Sequence, residues 1–297
     1  METKTENKII KGFKDQELFC NVWDKVENPE GVLLIVHGMQ EHSGRYKDFA
    51  SYLNQNNIIV YATDLRCHGK TCGDVKKLGH TDTDVFDEIV QDQVIILHML
   101  NEKYNLPVYL LGHSFGSFIA QKLVQESSDW QKAIFSGTAY TKTFLIGAGL
   151  QIANLTALLK GKHATAKLVE KMSFGAYGKK FKNGNWLSRD ENIFTKYKKD
   201  EFCGTPFTAG FYQSMFGNML RIPNGFSKIP KDKPLLIIAG GSDPVGESGK
   251  LPQRLHEELT KLELDCTLQI FPEARHEVLN ETNKNEIWKV VLDFIKK

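Results

Sequence analysis

The stretch that most restricts the possible folds of this chain runs from Val108 to Gly116, with the sequence VYLLGHSFG. Its apolar first half has the character of a buried strand, and the residues after Gly116 continue with the spacing of a helix. Between them lies Gly-x-Ser-x-Gly, which in this context is typical of a sharp strand-to-helix turn where neighbouring backbone approaches closely. We therefore predict that Ser114 stands exposed on such a turn as a candidate nucleophile.

Short β-rich segments alternate with longer segments of helical apolar spacing over most of the chain. Segments predicted as buried parallel strands are 31–36, 57–63, 108–112, 132–136, 234–240 and 265–271. Predicted helices are 45–54, 85–104, 114–126, 250–262 and 281–296. This alternation predicts an α/β fold with a doubly wound, mostly parallel sheet, to which a hairpin at 8–23 adds antiparallel strands at one edge.

The alternation fails between about residues 141 and 224, where helical segments, glycines and basic residues replace it. We predict a helical cap, or lid, at 141–223, inserted into a core that consists of 1–140 and 224–297. Residues 160–199 contain eleven Lys or Arg and three Asp or Glu, a net charge of +8 in a chain of net charge +2. This charge favours either a solvated polar face or attraction to an anionic membrane. Nucleic-acid binding is not expected, because the basic region lacks a recognisable reading motif.

Length and cysteine content limit the class of protein further. A chain of 297 residues with 41% hydrophobic residues can bury a core without disulfide staples. Its five cysteines are an odd number without C-x-x-C spacing, which favours a reducing, cytoplasmic setting. We find neither the apolar stretch of a secretory signal nor the roughly 20 apolar residues of a spanning helix.

A serine hydroxyl becomes a good nucleophile when a neighbouring imidazole takes its proton, so a histidine is needed near the strand ends. His276 is the preferred base because it follows the last predicted strand and precedes the final helix. Four less well placed histidines remain as alternatives: His37, His42, His68 and His80.

A carboxylate must then orient the imidazole and stabilise its protonated form. Asp243 is the preferred carboxylate because it comes just after a predicted strand. Asp232 and Asp265 precede strands and belong at the opposite edge of the sheet, whereas Glu247 remains a competitor. The resulting chain order of serine, aspartate and histidine is the order expected when the serine stands on a strand-to-helix turn of this kind.

The loop after the first core strand, residues 37–46, is expected at the same edge of the sheet. It follows the strand 31–36 directly and begins with a His-Gly pair. The backbone N–H groups of Met39 and Phe115 are predicted to converge on the negative charge that develops on oxygen during acyl transfer.

Four motifs together resemble the α/β-hydrolase superfamily, and within it the monoacylglycerol lipase and lysophospholipase-like serine hydrolases of bacterial type. They are 37–46 (HGMQEHSGRY), 64–70 (DLRCHGK), 112–116 (GHSFG) and 274–281 (ARHEVLNE). Their joint occurrence in this order spans nearly the whole chain and is more specific than any one motif. The chain departs from the family pattern at Cys67 and Ser117, where glycine is usual or frequent, and at Met39 and Gln40 in the first motif.

The resemblance implies a catalytic triad of Ser114, Asp243 and His276, with oxyanion amides at Met39 and Phe115 and no metal or organic cofactor. It also implies that the cap shapes an acyl pocket, although the same apolar spacing is compatible with simple packing of the cap on the core. Cap residues predicted to line the pocket are Phe144, Leu145, Ile146, Leu150, Ile152, Leu155, Leu158 and Leu159.

The expected function is that of a serine carboxylesterase or lipase, whose partner is a small-molecule acyl ester with a single chain, such as a monoacylglycerol or lysophospholipid. Alternatives are a serine peptidase or acyltransferase of the same fold, or a noncatalytic ligand receptor built on it. Dehalogenase and epoxide hydrolase chemistry is disfavoured, because those relatives carry an aspartate where Ser114 stands.

Overall fold

The computed structural model describes residues 5–297, which form an eight-stranded sheet. The strands are β1 (Glu6–Lys11), β2 (Glu17–Trp23), β3 (Gly31–Val36), β4 (Ile58–Thr63), β5 (Val108–His113), β6 (Lys132–Ser136), β7 (Leu235–Gly240) and β8 (Cys266–Phe271). Their order across the sheet is β1-β2-β4-β3-β5-β6-β7-β8. Strand β2 pairs antiparallel with β1 and β4, and the other neighbouring pairs are parallel. The predicted mostly parallel sheet is confirmed, with the hairpin of β1 and β2 at one edge.

The central strands have the sequence of strands covered on both sides. Every residue of β3, β4, β5 and β7 is buried, whereas the side chains of edge strand β1 alternate between half-buried and exposed positions. Parallel strands under helices on both faces have no solvated side, so apolar residues run on without alternation. The sequence pattern located β3 to β8 to within one residue at every end, and for the fully buried strands the unbroken apolar run is the reason.

Eleven α-helices accompany the strands in the described part of the chain. They are α1 (Lys47–Asn54), α2 (Gly69–Cys72), α3 (Val85–Tyr104), α4 (Phe115–Glu126), α5 (Phe144–Lys160), α6 (Lys167–Met172), α7 (Phe174–Gly178), α8 (Glu191–Lys199), α9 (Ala209–Met219), α10 (Lys250–Thr260) and α11 (Lys284–Lys296). One apolar cluster joins the sheet to α3, α4 and α10, and a second joins the opposite face to α1 and α11. The sheet is therefore doubly wound, as predicted.

Five of these helices, α5 to α9, lie between β6 and β7, where the sequence predicted an inserted cap. Helix α9 belongs to the main core, since Phe211 and Tyr212 are buried in the same cluster as residues of α3 and α4. Helix α5 buries only Ala153, and its Phe144 and Leu158 side chains are 88% and 82% exposed. The segment thus combines an inner and an outer helix, while the boundaries 141–223 and a lid role remain a prediction.

None of the helices between residues 5 and 297 has the length and apolar character needed to cross a membrane. Helix α3 is the longest, with 20 residues, but it carries acidic residues in its first turn. Helix α5 is more apolar and has only 17 residues. A span of the hydrocarbon layer takes about 20 apolar residues.

Candidate active site

Ser114 lies on the turn between β5 and α4, with φ 51° and ψ −120°. A positive φ is uncommon for a residue with a side chain, and such strain persists where the surrounding structure enforces it. A Cβ atom on Gly112 would collide with the carbonyl oxygen of Gly116, and one on Gly116 with the carbonyl oxygen of Val36. The glycines of the motif are therefore required by close backbone packing, which holds the serine at the end of its strand.

Three side chains from different strand ends meet at this turn. The Oγ atom of Ser114 lies 2.8 Å from Nε2 of His276, and Nδ1 of His276 lies 2.9 Å from Oδ2 of Asp243. Asp243 follows β7 and His276 follows β8, so the parallel sheet brings both to the edge at which Ser114 stands. Oδ1 of Asp243 accepts a hydrogen bond of 2.8 Å from the N–H of Val245, which fixes the carboxylate.

The acid and the imidazole are shielded from water, with Asp243 0% and His276 2% exposed. Burial opposes a charged imidazole and is the largest single influence on the pKa of His276. The charge and hydrogen bond of Asp243, aided by Glu277 and Glu41, together outweigh burial and raise this pKa above its ordinary value of 6.5. An imidazole in this setting can accept the serine proton and is stabilised once it is charged.

The raised pKa of His276 sets an expectation for the pH profile. If His276 is the general base, the free enzyme is active only when this imidazole is neutral, so kcat/KM should rise as the pH increases through that pKa. The midpoint of this acid limb is expected above pH 6.5. Initial rates with an uncharged p-nitrophenyl ester between about pH 5 and pH 9 measure it. A midpoint below that value would contradict the assignment.

The two backbone N–H groups expected to bind an oxyanion belong to Met39 and Phe115. Phe115 is the first residue of α4, where a helix leaves N–H groups without intrahelical acceptors. Met39 follows Gly38, on which a Cβ atom would lie 3.2 Å from Cβ of Ser114. Met39, Phe115 and Ser114 also line one cavity. The amides are thus adjacent to the serine, and their role stays a prediction.

A buried ionic network beside His276 was not singled out in the sequence. Arg45 donates one hydrogen bond of 2.7 Å to Glu41 and two, of 2.8 and 2.7 Å, to Glu277. Burial opposes a charged Glu41, but Arg45, with smaller effects from nearby histidines, holds the pKa of its carboxyl at about 2. The three residues do lie within the motifs 37–46 and 274–281, which is the signal that could have found them. Their pairing across the fold is not visible in either motif.

The four alternative histidines have other partners. His37 and His68 each form a hydrogen bond from Nδ1 to a backbone carbonyl group. His42 pairs with Asp200, and His80 stacks on another imidazole. His276 is the histidine that the structure brings to Ser114.

One group of side chains in the described part of the chain has the composition of a metal site: His42, Asp200 and Cys203. Nδ1 of His42 accepts a hydrogen bond of 3.2 Å from the N–H of Gly44, so its ring proton is on Nε2 and is donated to Asp200 at 2.9 Å. Burial raises the pKa of the Cys203 thiol well above its ordinary value. The thiol is thus not in the thiolate form that a metal binds, and both ring nitrogens of His42 are occupied by protein partners. The group fits a hydrogen-bonded contact between the loop after β3 and the insertion.

A cavity of about 650 Å³ opens at Ser114. Its apolar lining comes from α4, α5, α9, the first turn of α10 and the loops after β6 and β7. Apolar lining residues are Phe118, Tyr140, Leu145, Ile146, Met215, Phe216, Met219 and Leu251. Of the charged residues that line it, Lys180, Glu247 and Lys250 are exposed, whereas Glu41, Arg45 and Glu277 are nearly buried. The site therefore combines a mostly apolar lining with charged side chains.

Only part of the predicted acyl-pocket wall faces this cavity. Leu145 lines it, but Phe144 points to solvent and Leu150 packs against the protein core. Leu158 and Leu159 are also exposed, at 82% and 70%. Helix α5 is apolar on nearly every face, so its periodicity did not indicate which side turns inward. The expectation for Phe144 and Leu150 is corrected accordingly.

Comparison with known proteins gives the family. The family model described as "Serine aminopeptidase, S33" matches residues 27–283. The chain belongs to this family. It is 29% identical to the monoacylglycerol lipase of Mycolicibacterium smegmatis over 98% of this chain and 95% of that protein. It is 32% identical to phospholipase YtpA of Bacillus subtilis over 91% of this chain and 96% of that protein.

Solved structures share the same fold. A thermostable carboxyl esterase from Bacillus coagulans, solved in complex with glycerol, matches with a TM-score of 0.88 at 24% identity, and the match covers 98% of each chain. The resemblance to α/β-hydrolases of the monoacylglycerol lipase type is confirmed. The lipase and esterase relatives indicate an ester-hydrolysing enzyme.

Proposed function

We propose that this enzyme hydrolyses single-chain acyl esters, such as a monoacylglycerol or a lysophospholipid, through an acyl-enzyme on Ser114. The observation that carries the proposal is the hydrogen-bonded series from Asp243 through His276 to Ser114 at the base of an apolar cavity. The relatives named monoacylglycerol lipase and phospholipase support the class of substrate.

In the proposed reaction, Oγ of Ser114 attacks the ester carbonyl carbon while Nε2 of His276 takes the hydroxyl proton. Asp243 holds the Nδ1–H of His276 and stabilises the imidazolium. The N–H groups of Met39 and Phe115 bind the tetrahedral oxyanion, and each such donor typically contributes about 3 kcal/mol. The imidazolium protonates the departing alcohol and leaves the acyl-enzyme. Water, deprotonated by the same imidazole, then attacks the acyl carbon. The bond from that carbon to Oγ breaks, the carboxylic acid is released, and the imidazolium returns a proton to Oγ of Ser114.

The shape and chemistry of the cavity support an amphipathic substrate. Its apolar wall, which includes Leu145 of the predicted set, is proposed to hold the acyl chain. Its exposed charged side chains, Lys180, Glu247 and Lys250, are suited to a hydrated alcohol or head group. A ligand site of this kind combines a mostly apolar lining with a few polar groups that fix orientation.

A substrate panel tests this proposal against its alternatives. The panel contains p-nitrophenyl esters of increasing chain length, monoacylglycerols, lysophospholipids and aminoacyl p-nitroanilides, with Ser114→Ala as background. We expect hydrolysis of the esters, with the anilides near background. Faster cleavage of anilides would assign a peptidase, and product formed only with an added alcohol acceptor would assign an acyltransferase. Ester retained unhydrolysed in a stable complex would indicate a receptor.

The proposed setting is the reducing cytoplasm. All five cysteines are free, and Cys20 and Cys203 are buried. Free thiols are typical of a reducing compartment, whereas exported proteins commonly pair them. The proposed reaction uses protein groups and water, so it includes neither a metal nor an organic cofactor.

We also propose that the outer surface of α5 contacts an anionic membrane. Phe144, Leu155, Leu158 and Leu159 are exposed there by 57 to 88%, and the region 160–199 that follows carries net charge +8. Contiguous exposed apolar side chains beside basic residues are typical of a surface that binds lipid. Such contact would bring the cavity close to substrate held in a bilayer.

Binding to vesicles is therefore expected to depend on lipid charge and on salt. Cosedimentation with phosphatidylglycerol vesicles should exceed that with phosphatidylcholine and should weaken at high salt, because screening at 0.1 M acts over about 10 Å. Leu158→Asp should reduce binding, while Ile9→Asp, at an exposed isoleucine on edge strand β1, should not. Equal binding to neutral and anionic vesicles would refute the proposal.

A further inference from the structure

The ionic network of Arg45, Glu41 and Glu277 joins the two loops that flank Ser114. Glu41 and Arg45 lie in the oxyanion loop, residues 37–46, and Glu277 lies in the histidine loop, residues 272–281. The three side chains are nearly buried, with 12% of Arg45, 5% of Glu41 and 4% of Glu277 exposed. Arg45 meets Glu277 through two parallel hydrogen bonds, and this paired geometry fixes orientation as well as distance.

Both glutamates also make a hydrogen bond close to the reacting atoms, Glu41 through its carboxylate and Glu277 through its backbone. Oε1 of Glu41 accepts a hydrogen bond of 2.6 Å from the N–H of Gly38, the residue directly before Met39. Glu277 directly follows His276, and its own N–H donates a hydrogen bond of 2.7 Å to the carbonyl oxygen of Leu187. The network thus holds the peptide that precedes one proposed oxyanion donor and the backbone that carries the proposed base.

The charges of the network do not cancel, because two carboxylates share one guanidinium. His276 itself is faced by Asp243, by the His113 ring at 5.1 Å and by the Trp186 ring at 5.1 Å. Burial and the neighbouring His276 lower the pKa of His113 to about 4, so it stays neutral and adds no positive charge. An excess negative charge in a buried site favours a cation nearby. Attack by Ser114 creates such a cation on His276.

We propose that Arg45 and Glu277 are positioning residues. Arg45 holds the oxyanion loop and the histidine loop in a fixed relative position, and the negative charge of Glu277 stabilises the His276 imidazolium. The inference rests on the proposed function, in which His276 is the base. A merely structural ion pair would affect the stability of the fold alone. A positioning role predicts changes in kcat and in the pH profile as well.

Glu277→Gln tests the charge, because glutamine keeps the shape and loses the negative charge. The acid limb of the kcat/KM profile is expected to move to lower pH, because the imidazolium of His276 loses the stabilising negative charge of Glu277. The plateau kcat for a short p-nitrophenyl ester is expected to fall about 10- to 100-fold with a smaller change in KM. Glu281→Gln is the matched control: it removes a carboxylate of the same loop that is 1% exposed and pairs with Arg189 at 2.8 Å. This control should keep the parent acid limb.

Arg45→Lys tests the geometry separately, because lysine keeps the positive charge and loses the forked pair of donors. The acid limb of Arg45→Lys should stay at the parent pH while its kcat falls. This variant also serves as the test if Glu277→Gln does not fold. Glu277→Asp should restore the acid limb. The inference would be overturned if Glu277→Gln kept both the parent acid limb and the parent kcat. It would also be overturned if Arg45→Lys kept the parent kcat. Neither result would affect the proposal that hydrolysis depends on Ser114. A parent protein without such hydrolysis would overturn the proposed function first.

Discussion

Replacing Ser114 with alanine is expected to lower kcat for a short p-nitrophenyl ester by about 10⁶-fold and to abolish labelling by a fluorophosphonate. The hydroxyl oxygen is the atom that would form the covalent bond, and it lies 2.8 Å from Nε2 of His276. Without it no acyl-enzyme forms, and only the modest catalysis by the remaining oxyanion donors and substrate binding survives. Initial rates and in-gel fluorescence after labelling measure the two effects.

The fold should be unaffected by this substitution. Alanine meets the same backbone strain at φ 51° as serine does, so the thermal unfolding midpoint is expected to stay close to that of the parent. Ser173→Ala is the matched control, because Ser173 lines the same cavity and its hydroxyl donates to the backbone oxygen of Val169. This control should keep both labelling and turnover. A Ser114→Ala protein that still reacts with the fluorophosphonate would exclude Ser114 as the nucleophile.

The sequence predicted the parts of this protein that depend on local pattern and chain order. Ser114 directly follows β5, and Asp243 and His276 lie in the loops after β7 and β8. Parallel strands place their carboxyl ends at one edge of the sheet. Once β5, β7 and β8 were recognised as parallel strands of one sheet, the three side chains were expected at the same edge. The glycines around the serine strengthened the prediction because only they fit the turn.

The remaining features depend on contacts that no local pattern reports. Arg45 and Glu277 are 232 positions apart, and neither motif indicates that their side chains pair. Helix α5 presents apolar residues around its whole surface, so the sequence could not separate Leu145, which lines the cavity, from Phe144, which is exposed. Which residues meet is decided by tertiary packing, which local sequence preference does not report.

Hydrolysis of an ester or of an amide can be performed by the same triad, so the family alone does not decide the substrate. The family model is described as a serine aminopeptidase, whereas the relatives reported above are a lipase, a phospholipase and an esterase. What differs between such enzymes is the wall around the serine. In this chain that wall is contributed largely by α5, α9 and the loops beside them, so we expect the insertion to influence which substrate is accepted.

Asp243→Asn is expected to lower kcat by about 10⁴-fold while the protein remains folded. The asparagine NH₂ group would donate to Nδ1 of His276 and favour the tautomer with its proton on Nε2. That tautomer cannot accept the proton of Ser114. Loss of the carboxylate charge also removes a main cause of the raised pKa of His276, so the residual activity should titrate at a lower pH than that of the parent. Rates measured from about pH 5 to pH 9 give both effects.

Substitution of two other carboxylates shows whether the loss of activity is specific to Asp243. Asp265→Asn, at an exposed aspartate just before β8 on the far edge of the sheet, should leave kcat at the parent value. Glu247 lines the cavity and is the competitor for the orienting role, so Glu247→Gln should cost little if Asp243 is the partner of His276. The reverse pattern, with Asp243→Asn close to parent activity and Glu247→Gln strongly impaired, would transfer the role to Glu247. The 2.9 Å hydrogen bond between Asp243 and His276 would then orient a resting imidazole that turns toward Glu247 when substrate binds.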